Sequence, residues 1–208
     1  MRAADYVLPV TAARHADVAD VAAVAAATTW DTPAAGWLVP DPDHRPGVLH
    51  AWYAILAEHA LRYGRVDWLA GRSAAAIWLD RTRPMPVAHD FLRRLTETCG
   101  NHAIAVLRYE HLLEKHRPAT PHLQLAVLAA PRPEQAAVLL AHRHQHLDRL
   151  RIASHATAGS LDELHLMTGA GYLPGESFSL PDGGPAMWPL WRPPQPARAG
   201  ARRARRTA

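Results

Sequence analysis

Cysteine is nearly missing from this 208-residue chain, where Cys99 stands alone. One thiol excludes an internal disulfide framework and fits a reducing compartment. Lysine is as scarce: Lys115 is the only one among 23 basic residues. Joined to abundant Ala, Arg and Pro, that scarcity is the mark of a GC-rich bacterial genome, which bears on origin and not on mechanism. Long apolar runs are missing as well. The longest apolar-rich stretch, Val18 to Ala27, is too short and too Ala-rich to span a bilayer. Met1 to Thr11 has no basic segment leading into an apolar one, so no signal peptide and a cytoplasmic location are expected. Nucleophile elbow, Walker loop and dinucleotide-binding glycine motif are all absent, which removes the commonest hydrolase, nucleotidase and dehydrogenase chemistries.

What is present is an ordinary globular composition, 49 % hydrophobic and 20 % charged, with the length of a single domain. The formal net charge of +4 is misleading. Five arginines (Arg198, Arg202, Arg203, Arg205, Arg206) and no acid lie between Gln195 and Ala208. Without that tail, 18 basic residues face 19 acidic ones. The chain therefore divides into a near-neutral domain at 1–194 and a basic tail at 195–208, whose Ala/Arg/Gly composition predicts disorder. With no aromatic between the arginines there is no stacking platform, so nucleic acid is not the expected partner.

Along the chain, Tyr6 to Val10 reads as an edge strand, demoted by Pro9. Asp17 caps a helix running to Thr28, Trp30 to Pro46 reads as loop, and a second amphipathic helix covers Val48 to Arg62. Gly64 is read as its left-handed cap. Arg65–Ala70 and Ser73–Asp80 form a hairpin around Gly71-Arg72. Ala88 to Arg117 is helical, in two pieces meeting near Cys99-Gly100-Asn101. His122–Ala130 is a buried strand, Pro133–Arg149 a helix, Arg151–Thr157 a strand and Leu161–Thr168 a short helix. Glu176–Leu180 and Ala186–Trp191 close the chain as strands. This order predicts an α/β fold: one domain, a mixed central sheet, helices on both faces.

Several segments, in order, resemble one family. They are Trp30-Asp31-Thr32-Pro33 with Trp37 to Pro42; Ala74 to Leu79; Leu112-Leu113 with His116-Arg117-Pro118 and Pro121-His122-Leu123; Leu139 to Arg143; and Gly171-Tyr172 with Leu180 to Pro185 and Trp188 to Pro193. Over about residues 6–194 the chain is similar to the GNAT superfamily of acyl-CoA N-acyltransferases, in particular its puromycin N-acetyltransferase-like actinobacterial branch. The resemblance implies acetyl-CoA or another acyl-CoA as cosubstrate, laid along the fourth strand at Leu125 and Val127. Its pyrophosphate would meet the following turn and helix start, here Arg132, Gln135, Ala136 and Ala137. Trp30, Trp37, Trp78 and Asp80 fall in segments that wall the acceptor pocket, as does Trp52. His155, on the fifth strand beside the cleft, and Glu163, at the family's Asn position on the last helix, are the candidate catalytic residues. A small-molecule substrate is implied, and a homodimer is a candidate assembly.

The same alignment exposes departures. Where the family has a glycine-rich phosphate loop, this chain reads Leu128-Ala-Ala-Pro-Arg-Pro-Glu-Gln-Ala-Ala-Val138. It has no glycine, two prolines without amide donors, and Glu134 close to where phosphates would sit. Arg132 is the compensating phosphate ligand; the plain alternative is a strand-to-helix turn with Pro at the first helical position. Met167 replaces the thiolate-protonating tyrosine, and Thr157 falls where the fifth strand often carries Glu. His142 and His146 share a helix face at metal-ligand spacing, but no zincin Glu intervenes and no metal is expected. Three readings stay open: an acyl-CoA-dependent N-acyltransferase of a small amine; the same cleft turned to CoA-independent chemistry in a specialised, natural-product pathway; or a non-catalytic binding protein.

Overall fold

The computed structural model describes residues 9–86 and 90–196. Tyr6, Val7 and Leu8 of the expected first strand lie outside them, as do 197–208 of the basic tail. The first described strand, β1 (Val10–Ala12), begins just after Pro9 and sits on the sheet edge against β2 (Gly64–Leu69). Between them come α1 (Val18–Thr29), α2 (Pro33–Leu38) and α3 (Arg45–Tyr63). The chain continues through β3 (Ala75–Asp80), α4 (Phe91–Cys99), α5 (Ala103–Lys115), β4 (His122–Ala129), α6 (Pro133–Leu150), β5 (Ala153–Ala158) and α7 (Leu161–Gly169). Three strands finish it: β6 (Leu173–Pro174), β7 (Phe178–Ser179) and β8 (Ala186–Arg192). The sheet runs β1-β2-β3-β4-β5-β8-β6, with β7 also on β8. All pairs are antiparallel except β4–β5.

Period-two alternation sends the strand side chains into two cores. Trp68, Ile77, Leu79 and Val127 join the buried faces of α1, α3, α4 and α5. Leu69, Trp78, Leu125 and Ala156 join Leu139 and Leu140 of α6 and Met167 of α7. Helices thus cover both faces, as the element order predicts. Across the second face runs a buried ion pair. Arg143 of α6 donates Nε to Asp67 Oδ2 of β2 at 2.8 Å, and its Nη2 bonds Asp67 Oδ1. Arg65 adds a third donor to Asp67 at 3.1 Å.

Four local expectations change. The Asp17 side chain does not cap α1, and accepts the Arg14 N–H at 2.8 Å instead. The Trp30–Pro46 loop contains α2: Thr32 accepts the Ala35 N–H, and Pro33 opens the helix with the φ it needs. Gly64 is no left-handed cap. Its φ of −178° is extended, it starts β2, and a Cβ there would stand 2.0 Å from the Trp78 carbonyl oxygen. Close backbone approach, not backbone handedness, requires the glycine. The Glu176–Leu180 strand shrinks to Phe178–Ser179, while Leu173–Pro174 adds a short rung on β8. By contrast the Gly71-Arg72 turn is as read, both residues having positive φ (84° and 57°).

Removing one member of the buried pair strands the other. Asp67→Ala should cost about 3–5 kcal/mol, read from denaturant midpoints. Asp67→Leu combined with Arg143→Met should cost clearly less, because neither charge is then buried alone. A double variant as unstable as Asp67→Ala would show that the pair is not what holds α6.

Candidate functional site

The parallel ladder between β4 and β5 holds only His122↔Ala153, Leu123↔Ser154 and Gln124↔His155. Just beyond Gln124 the pairing of β4 with β3 shifts, from Trp78↔Leu125 to Ile77↔Val127, leaving Ala126 as an extra residue. Such a bulge bends its strand. From there β4 and β5 part, and a cavity of about 220 Å³ opens between them. Leu125 to Leu128, Ala156 to Gly159, Glu163 and Met167 wall it on the strand and α7 side. Thr28, Thr29, Trp52, Tyr53, Tyr109 and Glu110 wall it on the α1, α3 and α5 side. The cavity thereby draws on both faces of the sheet.

The α5 wall carries the chemistry. Ala103, Val106, Glu110 and Leu113 follow helical spacing on the inward face, so Glu110 is a carboxylate in an apolar stripe. Its Oε1 accepts the Trp52 indole N–H at 3.2 Å. Burial pushes its pKa up to about 6, against the pull of the Trp52 bond and of Arg81. Trp52 stacks on Tyr53 with ring centroids 4.9 Å apart and meets Tyr109 edge-on at 5.7 Å. Tyr53 shares a 2.9 Å hydrogen bond with Thr29. Its phenol is pushed up to about 12, and that of Tyr109 further still, mainly by burial, so both stay protonated.

Glu163 faces the cavity from α7. Its Oε2 accepts the Gly159 N–H at 2.6 Å, while Ser160 Oγ accepts the Glu163 N–H at 3.1 Å. That reciprocal arrangement is a helix cap, and it occupies the carboxylate. Burial raises the Glu163 pKa, with the backbone bonds pulling the other way. His155 stands just behind the wall: Gln124, across the ladder, and Thr157, two residues on, line the cavity, whereas His155 packs 5.4 Å from the His122 ring. It is 3 % exposed, and both its ring nitrogens lack a partner among the described residues. Burial, helped by nearby cations, pushes its pKa down to about 3. That environment resists the protonated form a general base must adopt.

Of the coenzyme candidates, Leu125, Val127 and Ala136 line the cavity. Arg132 is exposed at the N-cap of α6, and Ala137 is exposed one turn on. Gln135 turns inward, donating to Ser73 Oγ at 2.8 Å. The amides of Gln135 and Ala136 are directed at the Arg132 carbonyl, at 3.0 and 3.3 Å. The acceptor-side candidates fare differently again. Trp78 is fully buried on the α6 face, edge-on to His144, because its place in β3 points away from α5. Asp80 caps a turn, accepting from the Thr82 backbone and hydroxyl at 2.9 and 2.6 Å. Trp37 donates to the Pro181 carbonyl at 2.8 Å and packs on Gly184, and Trp30 is 43 % exposed. None of these four lines the cavity, although Trp52 does. Glu110 was missed in the sequence reading; its signal was an acid at an inward position of α5. Among the described residues no group of three or more His, Cys, Asp or Glu is placed to hold a metal.

No protein-family model and no curated protein matches the chain. Solved structures do match. An acetyltransferase of Corynebacterium glutamicum, described as histone acetyltransferase HPA2 and related acetyltransferase, superposes with a TM-score of 0.65 at 21 % identity, over 90 % of this chain and 97 % of its own. The fold is that of the GNAT acetyltransferases. Arylalkylamine N-acetyltransferase 2 of Aedes aegypti shares this GNAT fold at a TM-score of 0.57 and 11 % identity, covering 90 % and 99 %. The C-terminal condensation domain of Ebony, solved with β-alanyl-dopamine, follows at 0.53 and 13 %, covering 89 % and 98 %. The β4–β5 parting lies in the central sheet of this fold.

Acid should weaken this fold in a defined window. His144 is also pushed down to about 3 by burial, and its Nε2 lies 3.2 Å from the Tyr172 hydroxyl. Unfolded, each imidazole titrates near 6.5; folded, both stay neutral to about 3. The unfolded chain then binds more protons between those values, so stability is full above 6.5 and falls as the pH drops, by up to about 1.4 kcal/mol per pH unit for each. Denaturation midpoints at pH 7.5 and 5 measure this. His155→Leu should flatten the dependence without loss of stability at pH 7.5, since it removes an unpartnered buried polar ring; an unchanged slope would refute the assignment.

Proposed function

We propose that the protein is an acyl-CoA-dependent N-acyltransferase acting on a small amine. The observation that carries this reading is the cavity running through the β4–β5 parting, which joins an open strand to a walled pocket across the sheet. The resemblance and the GNAT fold support it, the neighbours being described as acetyltransferases. Acyl-CoA, when bound, would supply a thioester already activated towards an amine. Leu125 to Leu128 would hold its pantetheine arm, since the parted strand leaves backbone groups facing the cavity. Transfer to a neutral amine would form the C–N bond and break C–S, the amine's surplus proton ending on the departing thiolate as a thiol. The aromatic and aliphatic walls exclude the water that would otherwise compete.

Coenzyme fit is uneven along the site. The strand and cavity suit the acyl and pantetheine portions. The start of α6 suits the pyrophosphate less well, because Pro131 and Pro133 have no N–H and two following amides already face the Arg132 carbonyl. Charge neutralisation there rests on the exposed Arg132. This same feature favours a second reading, in which the cleft runs CoA-independent chemistry in a specialised pathway; a condensation domain on the same fold makes that reading concrete. Among the described residues no helix is long and apolar enough to cross a membrane, and we place the protein in the cytoplasm of an actinobacterium.

Thermal shift with acetyl-CoA decides between the two readings. A ligand at 100 times its dissociation constant should stabilise the fold by about 2.7 kcal/mol, and Arg132→Ala should abolish most of that at the same concentration. No shift at millimolar acetyl-CoA would reject the acyl-CoA reading.

A further inference from the structure

Among the described residues, those lining the cavity include no Lys, Arg or His, and they include two carboxylates, Glu110 and Glu163. In a pocket walled by low-dielectric side chains such an imbalance is felt strongly. One oxygen of Glu163 is tied into the cap of α7 by the Gly159 N–H. Glu110 is different. Among the described residues its hydrogen-bond donor is the neutral indole of Trp52. The nearest strong cation, Arg81, is committed elsewhere: its Nε donates to Gln124 at 2.8 Å, and its Nη2 lies 3.7 Å from Glu114. A carboxylate inside a cavity with only a neutral donor is poorly compensated, and a cationic ligand would complete it.

The surroundings of Glu110 say what kind of cation. Trp52, Tyr53 and Tyr109 form one contiguous aromatic group beside it, stacked and edge-on. Aromatic faces attract ammonium groups and accommodate aromatic or aliphatic bodies equally well. Leu49, Leu56, Leu79 and Leu113 complete the α3–α5 side. A second ammonium beside Glu110 would face that apolar wall, and a ligand carboxylate there would meet Glu110 with no cation among the described lining residues to offset it. The volume of about 220 Å³ also favours a compact molecule.

We infer that Glu110 is the specificity-determining anchor for the ammonium of a compact monocationic amine with an aromatic or aliphatic body, held between this carboxylate and the Trp52–Tyr53–Tyr109 faces. The inference rests on the amine-acylation reading and narrows its substrate class to monoamines, excluding polyamines and amino acids. Glu110 acts here in binding and selection and need not take a proton.

The test compares three probes by calorimetric titration against the full chain: 2-phenylethylamine, its neutral counterpart 2-phenylethanol, and spermidine. Acetyl-CoA binding is measured alongside as an independent readout. Wild-type protein should bind 2-phenylethylamine at least about tenfold more tightly than either other probe. Glu110→Gln should lose about that factor for the amine while acetyl-CoA binding stays as in wild type. If Glu110→Gln fails to fold, the wild-type ranking alone decides. Equal affinity for amine and alcohol, preference for spermidine, no amine binding, or an unchanged amine affinity in Glu110→Gln each overturns the inference. Amine binding that depends on Glu110 in a protein that ignores acetyl-CoA would support the anchor and reject the acyl-CoA reading instead.

Discussion

Three residue pairs of parallel ladder hold β4 against β5, and the cavity begins where they stop. Everything else in the site follows from that limit. A parallel pair continued to the strand ends would close the sheet, leaving no passage between the α5 side and the α6–α7 side. The extra residue at Ala126 bends β4 just beyond the last pair. On the other strand, the Ser160–Glu163 cap starts α7 immediately after β5 and carries the chain away. A parting of strands exposes backbone groups and apolar side chains, so it persists only where packing on both faces holds the strands in place.

That support is built mostly from buried polar contacts. Arg143 fixes α6 to β2 through Asp67. Five residues on, Asp148 binds Arg192 of β8 through two bonds of 2.7 and 2.8 Å. His144 lies between them, reaching the Tyr172 hydroxyl, to which Ser154 of β5 also donates. One face of α6 therefore grips β2, β5 and β8 at once, on both sides of the parted strands. Buried polar networks of this kind favour a single arrangement, and partial loss leaves further groups without partners. The α6 helix is thus tied to both edges of the parting by side-chain bonds.

How much of this the sequence disclosed depends on whether the signal was local. Helix periodicity, the Gly71-Arg72 turn and the Pro133 start of α6 are local, and they were legible. The missed helix α2 was local as well, but the Thr32-Pro33 cap was hidden among prolines that read as loop. Gly64 was misread because its reason lies on another strand: the Trp78 carbonyl approaches from β3. The tryptophans show the same limit. Segment resemblance placed Trp78 near the pocket, yet one step of strand register decides which face a side chain joins, and β3 sends it to α6. Glu110 needed the converse inference, that an acid among Ala103, Val106 and Leu113 is exceptional. It was visible only once the stripe was seen to leave the core after Val106 and to meet the cavity at Glu110 and Leu113.

The departures from the family pattern look less like scattered losses once they are set around the cavity. Thr157 and Met167, which stand where the resemblance would place a carboxylate and a tyrosine, both line it. The β5–α7 side has therefore become neutral and apolar, with its remaining acid engaged in a cap. Meanwhile the opposite wall holds Glu110 with a raised pKa and two phenols that stay protonated. Of the two walls, the α3–α5 side is therefore the one with a carboxylate outside a helix cap, Glu110, held by the Trp52 indole N–H. The proline-bounded start of α6 offers few free amides, so the organised polar groups of the cavity lie on its α3–α5 wall.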